Sequence, residues 1–169
     1  MQIPATTPPG PPTSADTEVL AGLQGLELAA RDLYQTAIDA GADDGAGVLA
    51  TLRANHAGYA NAISGLIGAA APQARNDLVY DQFSADFETD DVASVAAAGY
   101  ALESGAVATN LDALGVLEGT DGATVVASIL TVESRQAAVL ADLGGQGDDL
   151  DAVLVNTATP FPVGSGSTS

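Results

Sequence analysis

The chain has 169 residues, with 22 acidic side chains against 4 basic ones, a formal net charge of −18, no cysteine and a single histidine. Without thiols there are no disulfides, thiolate zinc sites, Fe–S clusters or thiol catalysis, and one imidazole excludes any site that needs two. Four arginines (Arg31, Arg53, Arg75, Arg135) cannot build the basic face that phosphates require, so nucleic acid is no partner.

No uninterrupted apolar run reaches the length of a bilayer, so no membrane span is expected. Apolar residues make up 47% of the chain, enough for one packed core at this length. The charged fraction is only 15%, below the roughly 25% of ordinary domains, so the acidity reflects missing cations more than surplus acids. That pattern fits a composition bias or a saline habitat in which self-repulsion is screened.

Residues 1–15 hold five prolines and no hydrophobic period, which reads as a flexible, unpacked spacer. No basic and apolar leader precedes it as the sequence stands. A secreted or cell-envelope location is expected if a leader was removed, and a cytoplasmic one otherwise. A first helix is expected from about Thr17 to Ala40, capped by Asp16 or Thr17, with Leu23, Glu27, Ala30, Tyr34 and Ala37 on one face. GADDG at 41–45 is a turn. A second helix, about Ala46 to Ala69, aligns Leu49, Leu52, His56, Tyr59, Ile63 and Leu66.

A long polar link from about Ala70 to Asp90 carries Leu78, Val79, Tyr80, Phe83 and Phe87, aromatic enough to lie on the bundle. The third helix starts near Asp90 or Asp91 and runs to about Glu118, with Val95, Gly99, Glu103, Ala106 and Asn110 in line. After the EGTDG turn, the fourth helix spans about Ala123 to Leu143, aligning Val126, Ile129, Glu133, Gln136 and Leu140. Leu150 to Pro162 is expected to form an irregular arm, with a loose tail beyond it. Residues 16–145 form the bundle in this reading, and 146–169 the arm and tail.

Links that run short, long, short define an all-α four-helix bundle with one long crossover. Each apolar stripe is interrupted once near its middle, by Glu27, His56, Glu103 and Glu133. Helix centres share one depth in such a bundle, so the four side chains should converge. A lone buried carboxylate is expensive; four helices with the same interruption point to a metal centre made of carboxylates and one imidazole. For His56 alone, a core histidine bonded to a glutamate is an equal alternative. Arg53 either turns inward to fork two carboxylates or snorkels to solvent. Gln136 reads as a satisfied core amide.

The segments LQGLELAARDLYQ (23–35), LRANHAGYANAISGLIG (52–68), YALESGAVATNLDAL (100–114) and ILTVESRQAAVLADL (129–143) resemble the ferritin-like domain proteins. The resemblance covers about residues 17–145 and is closest to a bacterial, secreted or envelope branch with a long crossover between the second and third helices. It implies a di-iron site built from a Glu on each of two helices and a Glu-x-x-His on each of the other two. Glu27 and Glu103 then fill the single roles. The paired roles fall to Arg53-x-x-His56 and Glu133-x-x-Gln136, so a glutamate and a histidine are both replaced.

The site the resemblance implies is therefore degenerate. Its cofactor would be none or one divalent metal, iron among the candidates, and its role non-catalytic. A residual mono- or di-iron oxidase acting on oxygen or peroxide is the enzymatic alternative, and a purely structural bundle the third. Self-association into a homo-oligomer is compatible with all three.

Overall fold

The structure, a computed structural model, describes residues 10–163. Six α-helices are present among them and no strand: α1 (Ser14–Asp39), α2 (Val48–Ile67), α3 (Asp77–Phe87), α4 (Val92–Leu114), α5 (Thr120–Leu143) and α6 (Leu150–Leu154), with one 3-10 turn at Gly68–Ala70. α1 pairs with α2 and α4 with α5 as two helix hairpins, and α3 crosses between them against α1 and α4. The crossover thus contains a helix within what the sequence suggested as a long polar link lying on the bundle. Asn76 caps it, accepting from the Val79 N–H, and Val79, Phe83 and Phe87 point inward.

α1 begins at Ser14, before the expected start, because Thr13 is the cap and Asp16 its reciprocal partner. Thr13 Oγ1 accepts from the Asp16 N–H at 3.1 Å, and Asp16 Oδ2 accepts from the Thr13 N–H at 2.8 Å. Asp16 is buried and also accepts from the N–H groups of Glu118 and Gly119, tying α1 to the turn before α5. These backbone donors hold its carboxyl down at about 2. The described end of the proline-rich segment is docked rather than loose: the Gly10 N–H donates to Thr120 Oγ1, and the Asp121 N–H to the Gly10 carbonyl. Residues 1–9 of the expected spacer, and the tail beyond residue 163, lie outside the described residues.

The turn between α1 and α2 uses glycine at 41, 45 and 47, all with positive φ. Asp44 closes it by accepting from the backbone of Ala46, Val48 and Leu49. Asp91 caps α4 as expected, but α4 ends at Leu114, short of the predicted Glu118. The C-terminal arm contains the short helix α6 and then runs extended across α4. Asn156 donates to the Ser104 carbonyl, and the Phe161 N–H donates to Thr109 Oγ1. α5 is the one helix among the described residues that is long and apolar enough to cross a membrane by length and composition. In this fold it is a bundle helix that carries Glu133 into the core.

Candidate metal centre

α1, α2, α4 and α5 each deliver one of the four expected residues to the same buried layer. Glu27, His56, Glu103 and Glu133 are each no more than 1% exposed. His56 lies between two carboxylates: Nδ1 is 2.8 Å from Glu27 Oε2, and Nε2 is 2.9 Å from Glu103 Oε1. Tyr34 donates its hydroxyl to the same Glu103 oxygen at 2.7 Å, and Asn110 Nδ2 donates to Glu133 Oε2 at 2.7 Å. Tyr34 stacks on the imidazole at 5.6 Å between centroids with planes 14° apart, while Tyr59 meets it edge-on. Behind Tyr34, Phe87 closes the wall edge-to-face.

Arg53 does not join the cluster. Its side chain is exposed on the outer side of α2, and the option of an arginine forked between carboxylates is corrected accordingly. The reason is angular. Leu49, Leu52, His56, Ala60 and Ile63 define the buried arc of α2, and position 53 falls at its edge, beyond the small Ala60. Gln136 is buried as expected, but its amide is poorly satisfied: Nε2 is 3.5 Å from the Tyr59 hydroxyl, and Oε1 has no partner.

Burial pushes the carboxyl of Glu27 up, with His56 pulling the other way. It pushes Glu133 well up, reinforced by the charges of Glu27 and Glu103. Burial opposes charge on His56, but Glu103 and Glu27 outweigh it and hold the ring well above its ordinary pKa. Both ring nitrogens thus lie against a carboxyl oxygen, which favours the protonated imidazole, while burial favours the neutral form of Glu27 and Glu133.

The buried side-chain polar atoms that lack a partner among the described residues are Glu27 Oε1, Glu103 Oε2, Asn110 Oδ1, Glu133 Oε1 and Gln136 Oε1. Every one is an oxygen, and every one belongs to this layer or its immediate support. A buried layer whose unpartnered atoms are all oxygens fits a cation. Ligand atoms of Glu27, His56 and Glu133 lie within 4.8 Å of one another, a spacing one ion can bridge. Glu103 is not in that group.

Sequence reasoning found the four central residues and the buried Gln136. It placed Asn110 on the inner stripe of its helix without seeing its role as the donor that orients Glu133. Glu133 and Asn110 face each other from neighbouring helices, a pairing no local spacing encodes.

A helical bundle with a carboxylate and imidazole layer at its centre is the architecture of the ferritin-like proteins. A family model described as the ferritin-like domain matches residues 15–146, and the chain belongs to that family. No curated protein and no solved structure matches the chain.

Proposed function

We propose that this ferritin-like domain holds one divalent cation between Glu27, His56 and Glu133, and that it lacks the paired-metal oxidation chemistry of a complete ligand set. The surplus of unpartnered buried oxygens is the observation that carries the reading. Charge supports a single ion: three carboxylates balance one divalent cation with one charge to spare, whereas two would need four. Arg53 supplies no ligand from the position where the family pattern has a bridging glutamate, and Gln136 offers a neutral amide where it has a histidine. Oxygen donors with one imidazole suit a borderline-to-hard ion such as Mn(II) or Fe(II). A bound ion would supply a fixed positive charge, releasing the protons that the metal-free centre holds.

Metal analysis after anaerobic incubation with Fe(II) or Mn(II) should find one ion per chain, and Glu133→Gln should abolish it. Added Fe(II) should oxidise in air no faster with the protein than without it. Rapid, saturable oxidation with two irons per chain would replace this reading with an iron oxidase. A chain that retains no ion would leave a purely structural bundle.

A further inference from the structure

Glu103 differs from the other two central carboxylates in what it touches. Its Oε1 accepts two hydrogen bonds, from Tyr34 at 2.7 Å and from His56 Nε2 at 2.9 Å. Glu27 is on the opposite ring nitrogen, and the ligand atoms that approach one another are those of Glu27, His56 and Glu133. The two nitrogen lone pairs of an imidazole diverge across the ring, so a carboxylate bonded to Nε2 is turned away from an ion held on Nδ1.

We infer that Glu103 is a positioning residue and not a ligand: anchored by Tyr34, it holds the Nε2 side of the His56 ring, so that Nδ1 is the nitrogen presented to Glu27 and to a cation. This rests on the single-cation reading above. On cation binding Nδ1 would give up the proton it shares with Glu27 at 2.8 Å, while Nε2 keeps the proton that Glu103 accepts at 2.9 Å. A carboxylate behind a ligating histidine raises its basicity and sets its ring orientation. Tyr34 holds both members: its hydroxyl fixes the carboxylate oxygen, and its ring lies parallel to the imidazole. Tyr34 is itself fully buried against Phe87, so the whole assembly is clamped.

The test uses the full chain loaded with Zn(II), a diamagnetic ion, and reads the His56 ring nitrogens by long-range proton–nitrogen NMR. The expected spectrum has metal on Nδ1 and a proton on Nε2. In Glu103→Gln the side-chain amide can donate as readily as accept, so the tautomer should lose its preference. Mn(II) affinity should then fall about 10- to 100-fold, with one ion per chain retained. Tyr34→Phe keeps the acceptor and should lose less affinity with the tautomer unchanged, which gives a readout even if Glu103→Gln folds poorly. Metal on Nε2, loss of the ion in Glu103→Gln as complete as in Glu133→Gln, or unchanged affinity in Glu103→Gln would each overturn the assignment while leaving the cation site in place. A wild-type chain that binds neither Zn(II) nor Mn(II) would remove the single-cation reading, and this assignment with it.

Discussion

The two seams between the helix hairpins are finished in opposite ways. Between α1 and α4 the contact is thin, and α3 and the C-terminal arm cover it. Phe161 packs edge-to-face on Phe83 above Gly105, and Asn76 Nδ2 donates to the Pro162 carbonyl. Between α2 and α5 the contact is also thin, but among the described residues no helix lies over it. A groove of about 350 Å³ runs there, walled by Val48, Leu52, Val132 and Val139, with Arg135 and Gln136 in its lining. The charge differs as well. α2 contains no acidic residue, and the acid of α5 between Asp121 and Asp142 is the buried Glu133. None of the residues that line this groove is acidic, in a chain with 22 acids.

The centre sits between these seams and is walled to match. Toward the covered seam stand Tyr34 and Phe87, both fully buried. Toward the open one stand the half-buried Tyr59 and the weakly bonded Gln136. The comparison teaches that small residues decided which seam could close. A strap reaches α1 and α4 only because glycine leaves room for it.

Glycine substitutions test that contrast most severely. A Cβ at Gly105 would overlap the Phe161 ring, and one at Gly22 would overlap the Val163 carbonyl. Gly105→Ala should destabilise by about 1–3 kcal/mol, the range of an overpacked core, unless the arm lifts away. Gly58, on the exposed face of α2, has nothing within 4 Å of its would-be Cβ. There the same change should stabilise by about 0.5–1 kcal/mol through helix propensity alone. Chemical denaturation of the two variants measures both, and equal signs would dissolve the distinction between the seams.

Titration sharpens the comparison at the centre, where Glu133 enters from α5 beside the open seam. Its folded pKa is raised, so above the ordinary value of 4.5 the folded chain holds a proton that the unfolded chain has lost. His56 behaves alike above 6.5. Both contributions are complete at low pH and vanish as pH rises through the folded values, at about 1.4 kcal/mol per pH unit for each proton retained. Metal-free protein should accordingly lose stability from about pH 5 toward alkaline pH, the reverse of the usual carboxylate trend that Asp16 follows near pH 2. Glu133→Gln should flatten the slope between pH 5 and 6.5, as read by melting temperature across pH. A parallel slope in that variant would mean that Glu133 is ionised when folded.

How far the sequence carries these features follows from their range. The central layer was legible because four helical stripes each broke once, at Glu27, His56, Glu103 and Glu133, and helical periodicity is a local code. α3 was missed although Val79, Phe83 and Phe87 recur at every fourth position, because a short stripe in a polar stretch that follows a proline reads as a link. Thr13 was missed as the α1 cap because the proline run masked the start, although Thr13 and Asp16 have capping-box spacing. The division of roles among the carboxylates depends on which ring nitrogen each one meets, and that is set by tertiary packing.

The smallest expected effect separates paired from unpaired cations. Arg31 and Arg75 pair with Asp32, Arg75 also pairs with Asp77, and Arg75 lies over the Tyr80 ring at 3.5 Å. Arg53 and Arg135 make no ion pair among the described residues, and both lie on the two helices that border the open seam. An inward Arg53 would be the only arginine partner of three buried carboxylates, and its loss would cost several kcal/mol. An exposed Arg53 contributes only long-range attraction to a chain of net charge −18, an interaction that salt screens within about 8–10 Å. Arg53→Ala should therefore shift stability by less than about 0.5 kcal/mol in physiological salt, with a slightly larger loss at low ionic strength. Arg75→Ala, which breaks contacts to an aspartate pair and an aromatic ring, should lose more under both conditions. Melting curves of the two variants at low and moderate salt measure the difference, and a large, salt-independent loss at Arg53 would return that guanidinium to the centre.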